Sequence, residues 1–317
     1  MIEVHGLSKR YGDVEAVKDV SFSVGADQVL GFLGPNGAGK TTVMKVLTGY
    51  HFPTSGEAKV DGVSVQDHPV EVKKRIGYLP ESVPLYGDLS PAEYLGFAAS
   101  ARLIPKVEQK NAVSRALESC GLGEAANKPI ETLSKGYKQR VGLAQAIIHD
   151  PPILILDEPT SGLDPNQIIE IRNLIKDLGK SKTVILSTHI LQEVEAVCSQ
   201  VLIINEGRIA AQGTPEEIAR TMKGRVSWDL VLKGKSAAET GELFRRLGDT
   251  VRQEKLLDWD DRTVFLSFSA GDGTVDGEAV FDWAVAGGLK ILSMNQKRLS
   301  LEDIFVKLTR EERGEES

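Results

Sequence analysis

The nine residues from Gly34 to Thr42, GPNGAGKTT, constrain the fold of this chain more than any other stretch. An apolar run, Val29–Leu33, precedes them, and apolar residues at helical spacing follow. The pattern predicts a glycine-rich turn between a buried strand and a helix, where backbone N–H groups and the positive helix N-terminus bind phosphate. Lys40 is expected to reach the terminal phosphates, and Thr41 to offer its hydroxyl to Mg²⁺. We therefore predict a nucleotide-phosphate site formed by Gly34, Pro35, Asn36, Gly37, Ala38, Gly39, Lys40, Thr41 and Thr42.

The composition bounds the class of protein. The chain has 317 residues, enough for two domains with separate cores, and its hydrophobic content of 41% and charged content of 26% are ordinary for a soluble globular protein. No apolar run approaches the roughly 20 residues that a membrane span requires, and the N-terminus lacks the apolar core of a signal peptide. A net charge of −7 argues against broad nucleic-acid binding. We expect a cytoplasmic protein whose membrane role, if it has one, comes through a partner.

Carboxylates follow two short apolar runs that are typical of buried parallel strands. Asp157 and Glu158 come directly after Ile153–Leu156, and Glu81 follows Ile76–Leu79 and a proline. Ligands of open α/β sheets bind at the C-terminal ends of the strands. Two neighbouring carboxylates there suit different tasks, since one can hold Mg²⁺, directly or through water, while the other polarises the attacking water. The alternative interpretation is an acidic turn without a chemical role.

Two further residues have both a functional and a structural interpretation. His189 follows the strand that contains Val184–Leu186, and a histidine there often has a structural role, but the phosphate motifs upstream favour a functional one. Tyr11 is predicted in a short polar turn between the strands Ile2–Leu7 and Val20–Val24. Its ring could stack on a purine or cover the edge of the sheet. Its position upstream of the phosphate loop favours stacking.

Sequence patterns typical of helix starts follow Glu81 at several places in the chain. Ser90–Glu93 is a capping box with proline at the first helical position, and it predicts helices that end near Gly121. The segment Leu133–Arg140, LSKGYKQR, opens another helix, whose N-terminus is a second potential phosphate site. The loop Ser161–Asp164 precedes a further helix. We place this helical insertion at about 88–150, within an α/β frame.

These motifs, in this order, resemble the ATP-binding subunits of ABC transporters. The resemblance covers Met1 to about Ala219 and depends on five motifs: GPNGAGKTT, LSKGYKQR, ILILDEP, SGLDP and STH. It implies an α/β P-loop NTPase fold of the ABC ATPase type, with ATP and Mg²⁺ as ligands and with ATP hydrolysis coupled to transport. It also implies a homodimer with ATP at the interface. An integral membrane permease would be the partner, and it would hold the chain on the inner face of the cell membrane.

The resemblance implies roles for individual residues in three sets. The catalytic set is Glu158 as the base, His189 as the γ-phosphate switch, and Lys40. The metal set is Thr41, Glu81 and Asp157. Beyond the phosphate loop, the nucleotide contacts are Tyr11, which would stack on adenine, Ser134, Gly136 and Asp164. In the resembling family, the helix start at Ser134–Gly136 completes the site of the opposite subunit.

The chain departs from the family pattern at two positions. Glu81 stands where most members have glutamine, after a strand that contacts Mg²⁺ and the permease, and Lys135 replaces the second glycine of the signature motif. Similar replacements occur in branches that pair with separate export permeases, including gliding-motility and nitrous-oxide-pathway systems, and the chain looks like that group. A carboxylate can still ligate Mg²⁺, so ATPase activity is expected to survive the change.

Residues beyond Arg220 lack a phosphate motif and follow the order β-α-β-β-α-β, which predicts a small α+β, ferredoxin-like domain. A final helix is predicted at 300–308, followed by a frayed, charged tail. We therefore expect an ATP-binding domain at 1–219 and an accessory domain at 220–317. The accessory domain could stabilise a dimer, regulate the ATPase or sense a ligand, because a fold alone does not assign a role.

Two classes of function fit the cassette. The leading hypothesis is an ATPase subunit that powers a separate membrane permease for export. The alternative is a soluble ABC-superfamily ATPase that acts on nucleic acid or ribosomes. The repair and chromosome-organising members carry long coiled-coil insertions, whereas Lys40 and Asp157 are only 117 residues apart here, without sustained heptads. The ribosome-associated members normally need two cassettes, and this chain has one.

Overall fold

A computed structural model of the chain describes residues 1–215, 217–218, 226–245, 247, 251–260, 262–270 and 275–297. The chain divides into two compact units, Met1–Pro215 and Glu216–Ser317. The functional division that we expect at 219/220 stays a prediction. The predicted helix at 300–308 and the charged tail lie outside the described residues. Within the described ranges, every helix is too short or too polar to cross a membrane.

A six-stranded sheet forms the centre of the first unit. Its strands, in spatial order, are β10 (Arg208–Gly213), β9 (Gln200–Asn205), β3 (Val29–Leu33), β8 (Thr183–Thr188), β7 (Ile153–Asp157) and β6 (Ile76–Leu79). All neighbours are parallel except β10, which pairs antiparallel with β9. Every residue of β3, β7 and β8 is buried, as expected of parallel strands that are covered on both faces. Their C-terminal ends therefore meet at one edge of the sheet.

An antiparallel sheet packs against this layer, with the strand order β2 (Val14–Val24), β1 (Ile2–Tyr11), β4 (Ser55–Val60) and β5 (Val63–Ser64). The first two strands are longer than the sequence predicts. The placement of Tyr11 in a turn was wrong, because Tyr11 ends β1 and pairs with Val14 of β2. Polar residues on the exposed part of a hairpin do not prevent backbone pairing, so apolar spacing alone underestimates such strands.

The described α-helices of the first unit include α1 (Lys40–Leu47), α2 (Pro69–Arg75), α3 (Pro91–Ala101), α4 (Lys106–Ser119), α5 (Lys135–Ile147), α6 (Pro165–Leu178) and α7 (Leu191–Val197). The capping box before α3 is present, with the Ser90 hydroxyl accepting from the backbone of Glu93 and the Glu93 carboxylate accepting from the backbone of Ser90. Helices α3 to α5 form the predicted helical insertion. Between the two sheets and α1 lies one apolar core that includes Phe22, Phe32 and Met44.

The second unit has the predicted ferredoxin-like order of elements. These are β11 (Val226–Lys233), a helix Ala237–Phe244, β12 (Val251–Asp260), β13 (Thr263–Ala270), a helix Gly277–Ala286 and β14 (Lys290–Lys297). The strands form an antiparallel sheet in the order β12-β13-β11-β14. A separate core lies under the helices, where the rings of Phe244 and Phe268 are 5.1 Å apart. The predicted fold class, α/β with a small α+β unit, is confirmed.

Candidate active site

The phosphate loop connects β3 to α1 at the C-terminal edge of the six-stranded sheet. Two of its glycines are required by close packing, because a Cβ at Gly34 would lie 2.5 Å from the Ile204 carbonyl oxygen and one at Gly39 would lie 2.6 Å from that of Ala16. Gly39 also has a φ of 107°, which favours glycine. It caps α1 without a side-chain hydrogen bond. The first N–H groups of α1 are therefore directed at the loop.

The side chain of Lys40 folds back into this loop. Its Nζ donates to the carbonyl oxygens of Gly34, at 2.8 Å, and of Pro35, at 3.2 Å. The same ammonium lies 3.3 Å from Glu158 Oε1, and both side chains are buried. A buried charge needs such partners, since a charge in a low-dielectric interior is costly without them. The loop thus carries a fixed positive charge beside the end of β7.

Asp157 links the start of α1 to the neighbouring strand β8. Its Oδ1 accepts hydrogen bonds from the hydroxyls of Thr41, at 3.2 Å, and Ser187. Asp157 and Ser187 are register partners in the parallel pair β7 and β8. The second oxygen, Oδ2, is buried and has no hydrogen-bond partner among the described residues. A buried oxygen of this kind requires an explanation, and a bound cation or ordered water is the usual one.

Glu158 follows Asp157 in a left-handed conformation with a φ of 49°. Its backbone N donates to the carbonyl and the hydroxyl oxygen of Ser187, each at 3.1 Å, and these bonds offset the conformational cost of about 1–3 kcal/mol. Its Oε2 lies 2.9 Å from His189 Nδ1. The turned backbone therefore directs the carboxylate between Lys40 and His189.

Tyr11 and Glu81 are exposed, unlike the buried side chains of Lys40, Asp157 and Glu158. Tyr11 is 42% exposed, its ring meets that of His51 edge-on at 5.6 Å, and Lys9 Nζ lies 5.2 Å from its centroid. Part of the Tyr11 side chain is thus open to solvent. Glu81 is exposed directly after β6 and Pro80. Burial raises the pKa of the Tyr78 phenol, and the charges of Asp157, Tyr50 and Glu81 raise it further.

Ser134, Gly136 and Asp164 form a second group. The Ser134 hydroxyl accepts from the backbone N of Tyr137 at the start of α5, and Asp164 Oδ1 accepts from the backbone N of Gln167 at the start of α6. The Gln167 side chain also packs on Gly136, where a Cβ would lie 2.6 Å from its Cδ. No hydrogen bond or ion pair in the described part of the chain joins this group to the phosphate loop. The predicted residues therefore fall into two separate groups.

Sequence reasoning did not assign a role to Ser187, which contacts both Asp157 and Glu158. The sequence does contain a signal for this contact. One apolar run ends in Asp157 and another ends in Thr188, and in a parallel α/β pattern the two can be aligned as neighbouring strands. The pairing order of the strands, however, is not written in the sequence. Thr160 and Glu193, whose buried side chains hydrogen-bond to each other across 33 positions of the chain, were missed for the same reason.

The family described as ABC transporter matches residues 17–161. YxlF of Bacillus subtilis strain 168, named as an uncharacterized ABC transporter ATP-binding protein, is 35% identical over 97% of this chain and 99% of its own. The Nod factor export ATP-binding protein I of Ralstonia nicotianae is 36% identical over 69% of this chain and 68% of its own. The dimeric post-hydrolysis structure of the ATP-binding cassette MJ0796 with ADP and Pi has the same fold, with a TM-score of 0.62 and 24% identity over 68% of this chain and 98% of that one. Because the similarity extends along nearly the whole chain, the protein belongs to the ATP-binding subunits of ABC transporters and is an ATPase.

Proposed function

We propose that this ATPase powers a separate integral membrane permease and that the transport is export. The observation that carries the proposal is an exposed aromatic groove next to the Glu81 end of the site. The relative named for Nod factor export supports the direction. Neither relative reported above is named for work on nucleic acid or ribosomes, so that alternative gains no support. The chain would then lie on the inner face of the cell membrane, held there by the permease.

The groove has a volume of about 340 Å³, and its lining includes Tyr50, Tyr78, Pro80 and Phe97. Tyr50 and Phe97 are 67% and 55% exposed, although large aromatic side chains usually bury their apolar area. Exposed apolar patches on a folded surface commonly mark interaction sites. Pro80 directly precedes Glu81, so a partner in this groove would contact the segment that leads to the nucleotide site.

Nucleotide binding is assigned to the phosphate loop and Tyr11. The backbone N–H groups of Gly37, Gly39, Lys40 and Thr41 and the Lys40 ammonium would bind the phosphates, because both place positive charge at the loop. The partly exposed ring of Tyr11 would stack on the adenine. Lys40→Ala should raise the Kd for ATP roughly 10- to 100-fold, since a hydrogen bond to a charged group contributes about 1.5–3 kcal/mol. Lys45→Ala, on the same helix, is the control.

The chemistry of Asp157 and Thr41 fits Mg²⁺, because Asp157 Oδ2 is buried without a hydrogen-bond partner and Thr41 offers a hydroxyl oxygen. No cluster of three or more His, Cys, Asp or Glu side chains that could hold a metal occurs in the described ranges. That agrees with Mg²⁺, which is usually held by one or two carboxylates, waters and substrate phosphates. Glu81 is the further candidate ligand. When bound, the ion would neutralise charge that develops on the phosphates.

We assign Glu158 as the group that accepts the proton of the attacking water. Its Oε2 is held by His189, whereas Oε1 is ion-paired with Lys40 at 3.3 Å but has no hydrogen-bond partner among the described residues, and we assign Oε1 to the water. As the water oxygen bonds to the γ-phosphorus, the proton passes to this carboxylate and the bond to the ADP oxygen breaks. The His189 ring is nearly half exposed, which leaves its other nitrogen available to the γ-phosphate.

The working unit is assigned as a homodimer with two ATPs at its interface. The group Ser134, Gly136 and Asp164 makes no hydrogen bond or ion pair to the phosphate loop of its own chain among the described residues, and we assign the nucleotide of the other subunit as its partner. The MJ0796 cassette, which shares the fold, was solved as a dimer. Closure of two subunits on ATP, and their release after hydrolysis, would give the permease a change of conformation to respond to.

The permease assignment is tested with tagged full-length protein and detergent-solubilised membranes of the source cells. We expect one integral membrane protein to co-purify, to stimulate ATP hydrolysis, and to be lost with Phe97→Asp. The matched control is Phe281→Asp, which changes an equally exposed phenylalanine, at 52%, in the second unit. ATP affinity should be unchanged in both variants. Equal capture by Phe97→Asp and the parent would rule out the groove as the docking site.

A further inference from the structure

Glu193 is a buried acid without an assigned role. Its side chain is 1% exposed, and it lies on α7, four residues after His189. Glutamate is almost never fully buried unless it is paired, because the charged form loses its hydration. The identity of its partners therefore indicates what the carboxylate is for.

The carboxylate of Glu193 connects three separate elements. Its Oε1 accepts from the hydroxyl of Thr160, in the loop after β7, and its Oε2 accepts from the hydroxyl of Thr188, at the end of β8, at 2.7 Å. Arg172 of α6 places Nη2 3.8 Å from Oε1. The two hydroxyls are thus the close contacts, while the cation is too distant for a hydrogen bond.

Both hydroxyls are adjacent to the proposed catalytic pair. Thr160 lies two residues after Glu158, and Thr188 directly precedes His189. The Thr188 hydroxyl also accepts from the backbone N of Ile190, at 3.0 Å, so it bridges the backbone on both sides of His189. The segments that carry Glu158 and His189 are therefore joined through one buried carboxylate.

We propose that Glu193 is a positioning residue for ATP hydrolysis. Through Thr160 and Thr188 it holds the backbones of Glu158 and His189 so that their side chains stay in hydrogen-bond contact. The proposal rests on the proposed roles of Glu158 and His189. A carboxylate suits the task because it only accepts hydrogen bonds and can accept one from each hydroxyl at the same time.

Substitution at Glu193 should therefore affect turnover rather than binding. In Glu193→Ala, both threonine hydroxyls lose their acceptor, and we expect kcat to fall roughly 10- to 100-fold, because misplacement by about 1 Å can cost about 100-fold. KM and the Kd for ATP should stay within about twofold, since the phosphate loop is untouched. Glu193→Gln should lie between, because its amide oxygen accepts one hydroxyl while its NH₂ cannot accept the other. The control is Glu195→Ala, which removes an exposed glutamate of the same helix.

A double-mutant cycle tests whether Glu193 affects turnover through Glu158 and His189. If Glu193 acts through the catalytic pair, Glu193→Ala should lower kcat much less in a His189→Ala background than in the parent. Thr188→Val should reproduce the loss, and Thr188→Ser, which retains the hydroxyl, should restore most of the turnover. The threonine variants also decide the question if Glu193→Ala does not fold.

Three results would overturn the inference: a parental kcat in Glu193→Ala or Thr188→Val, a Kd for ATP that rises in step with the loss of kcat, or fully additive effects with His189→Ala. Failure of the proposed function gives a different pattern. In that case Glu158→Gln and His189→Ala themselves would keep parental turnover.

Discussion

His189 Nδ1 lies 2.9 Å from Glu158 Oε2, although the two residues are 31 positions apart and follow different strands. A carboxylate only accepts, so Nδ1 carries the hydrogen and the imidazole orientation is fixed by Glu158. The other oxygen of Glu158 faces Lys40 at 3.3 Å without a hydrogen bond. One oxygen is therefore held by a hydrogen bond, while the other is ion-paired with Lys40 without a hydrogen bond and can still accept one from a water, as a general base must.

Glu158→Gln should bind ATP normally and lose at least about 100-fold in kcat, since an amide cannot take the proton of water and general-base catalysis contributes about 10²–10⁴-fold. The trapped ATP should hold the dimer closed, so light scattering should report a doubled mass only when ATP is present. Glu124→Gln, at an exposed position, should remain like the parent. A Glu158→Gln protein that stays monomeric in saturating ATP, alone and with its permease, would contradict the composite site.

Ser134→Arg should prevent that closure. The start of α5 is exposed, so the larger side chain can be accommodated in the monomer but would occupy the proposed interface. We expect the double variant with Glu158→Gln to bind ATP with an affinity within about twofold of the single variant and to scatter as a monomer, because the phosphate loop is distant in sequence and unchanged. Dimer formation at the same ATP concentration would place the interface elsewhere.

Glu81→Gln should leave basal ATP binding intact and change the stimulation of hydrolysis by the permease. The amide oxygen can still ligate Mg²⁺, but the negative charge is lost. The side chain is exposed after β6, so folding should not suffer. ATPase rates with and without reconstituted permease measure the effect. Parental stimulation in Glu81→Ala would make Glu81 a bystander.

A chain cut after Arg220 should fold and bind ATP. The core around Phe32 and Met44 and the core around Phe244 and Phe268 are made of different residues, and each lies within one unit. Units with their own cores can fold alone. Circular dichroism and titration with a fluorescent nucleotide check the fragment. An insoluble fragment would mean that its stability depends on the second unit.

Acid should destabilise the first unit through His149. Burial, followed by the charge of Arg102, lowers the pKa of His149 from 6.5 to about 4. The unfolded chain therefore binds this proton more tightly than the folded protein, and stability falls as pH drops from about 6.5 towards 4. His149→Gln should reduce the loss of unfolding free energy between pH 7 and pH 5, measured by urea denaturation. His68→Gln, at an exposed site, is the control; equal pH dependence in all three proteins would exclude His149.

Local spacing in the chain was enough to predict the strands β3, β6 and β7, the phosphate loop, the capped helices and the ferredoxin-like order of the second unit. Each of these follows from interactions between residues close in sequence: apolar periodicity, glycines at a turn and caps at helix starts. The ordered motifs also sufficed to indicate the family. The length of β1 and the place of Tyr11 escaped prediction because exposed hairpin residues lack that periodicity.

Tertiary structure alone decided which strand ends meet. The contact between Glu158 and His189, the bond from Ser187 to Asp157, and the burial of Glu193 between Thr160 and Thr188 depend on β7 lying beside β8 in one register. Strand order and register are set by packing of the whole sheet against its helices. A sequence pattern records which faces are apolar, and many arrangements of strands satisfy that pattern, whereas only the packed sheet brings these particular side chains within hydrogen-bonding distance.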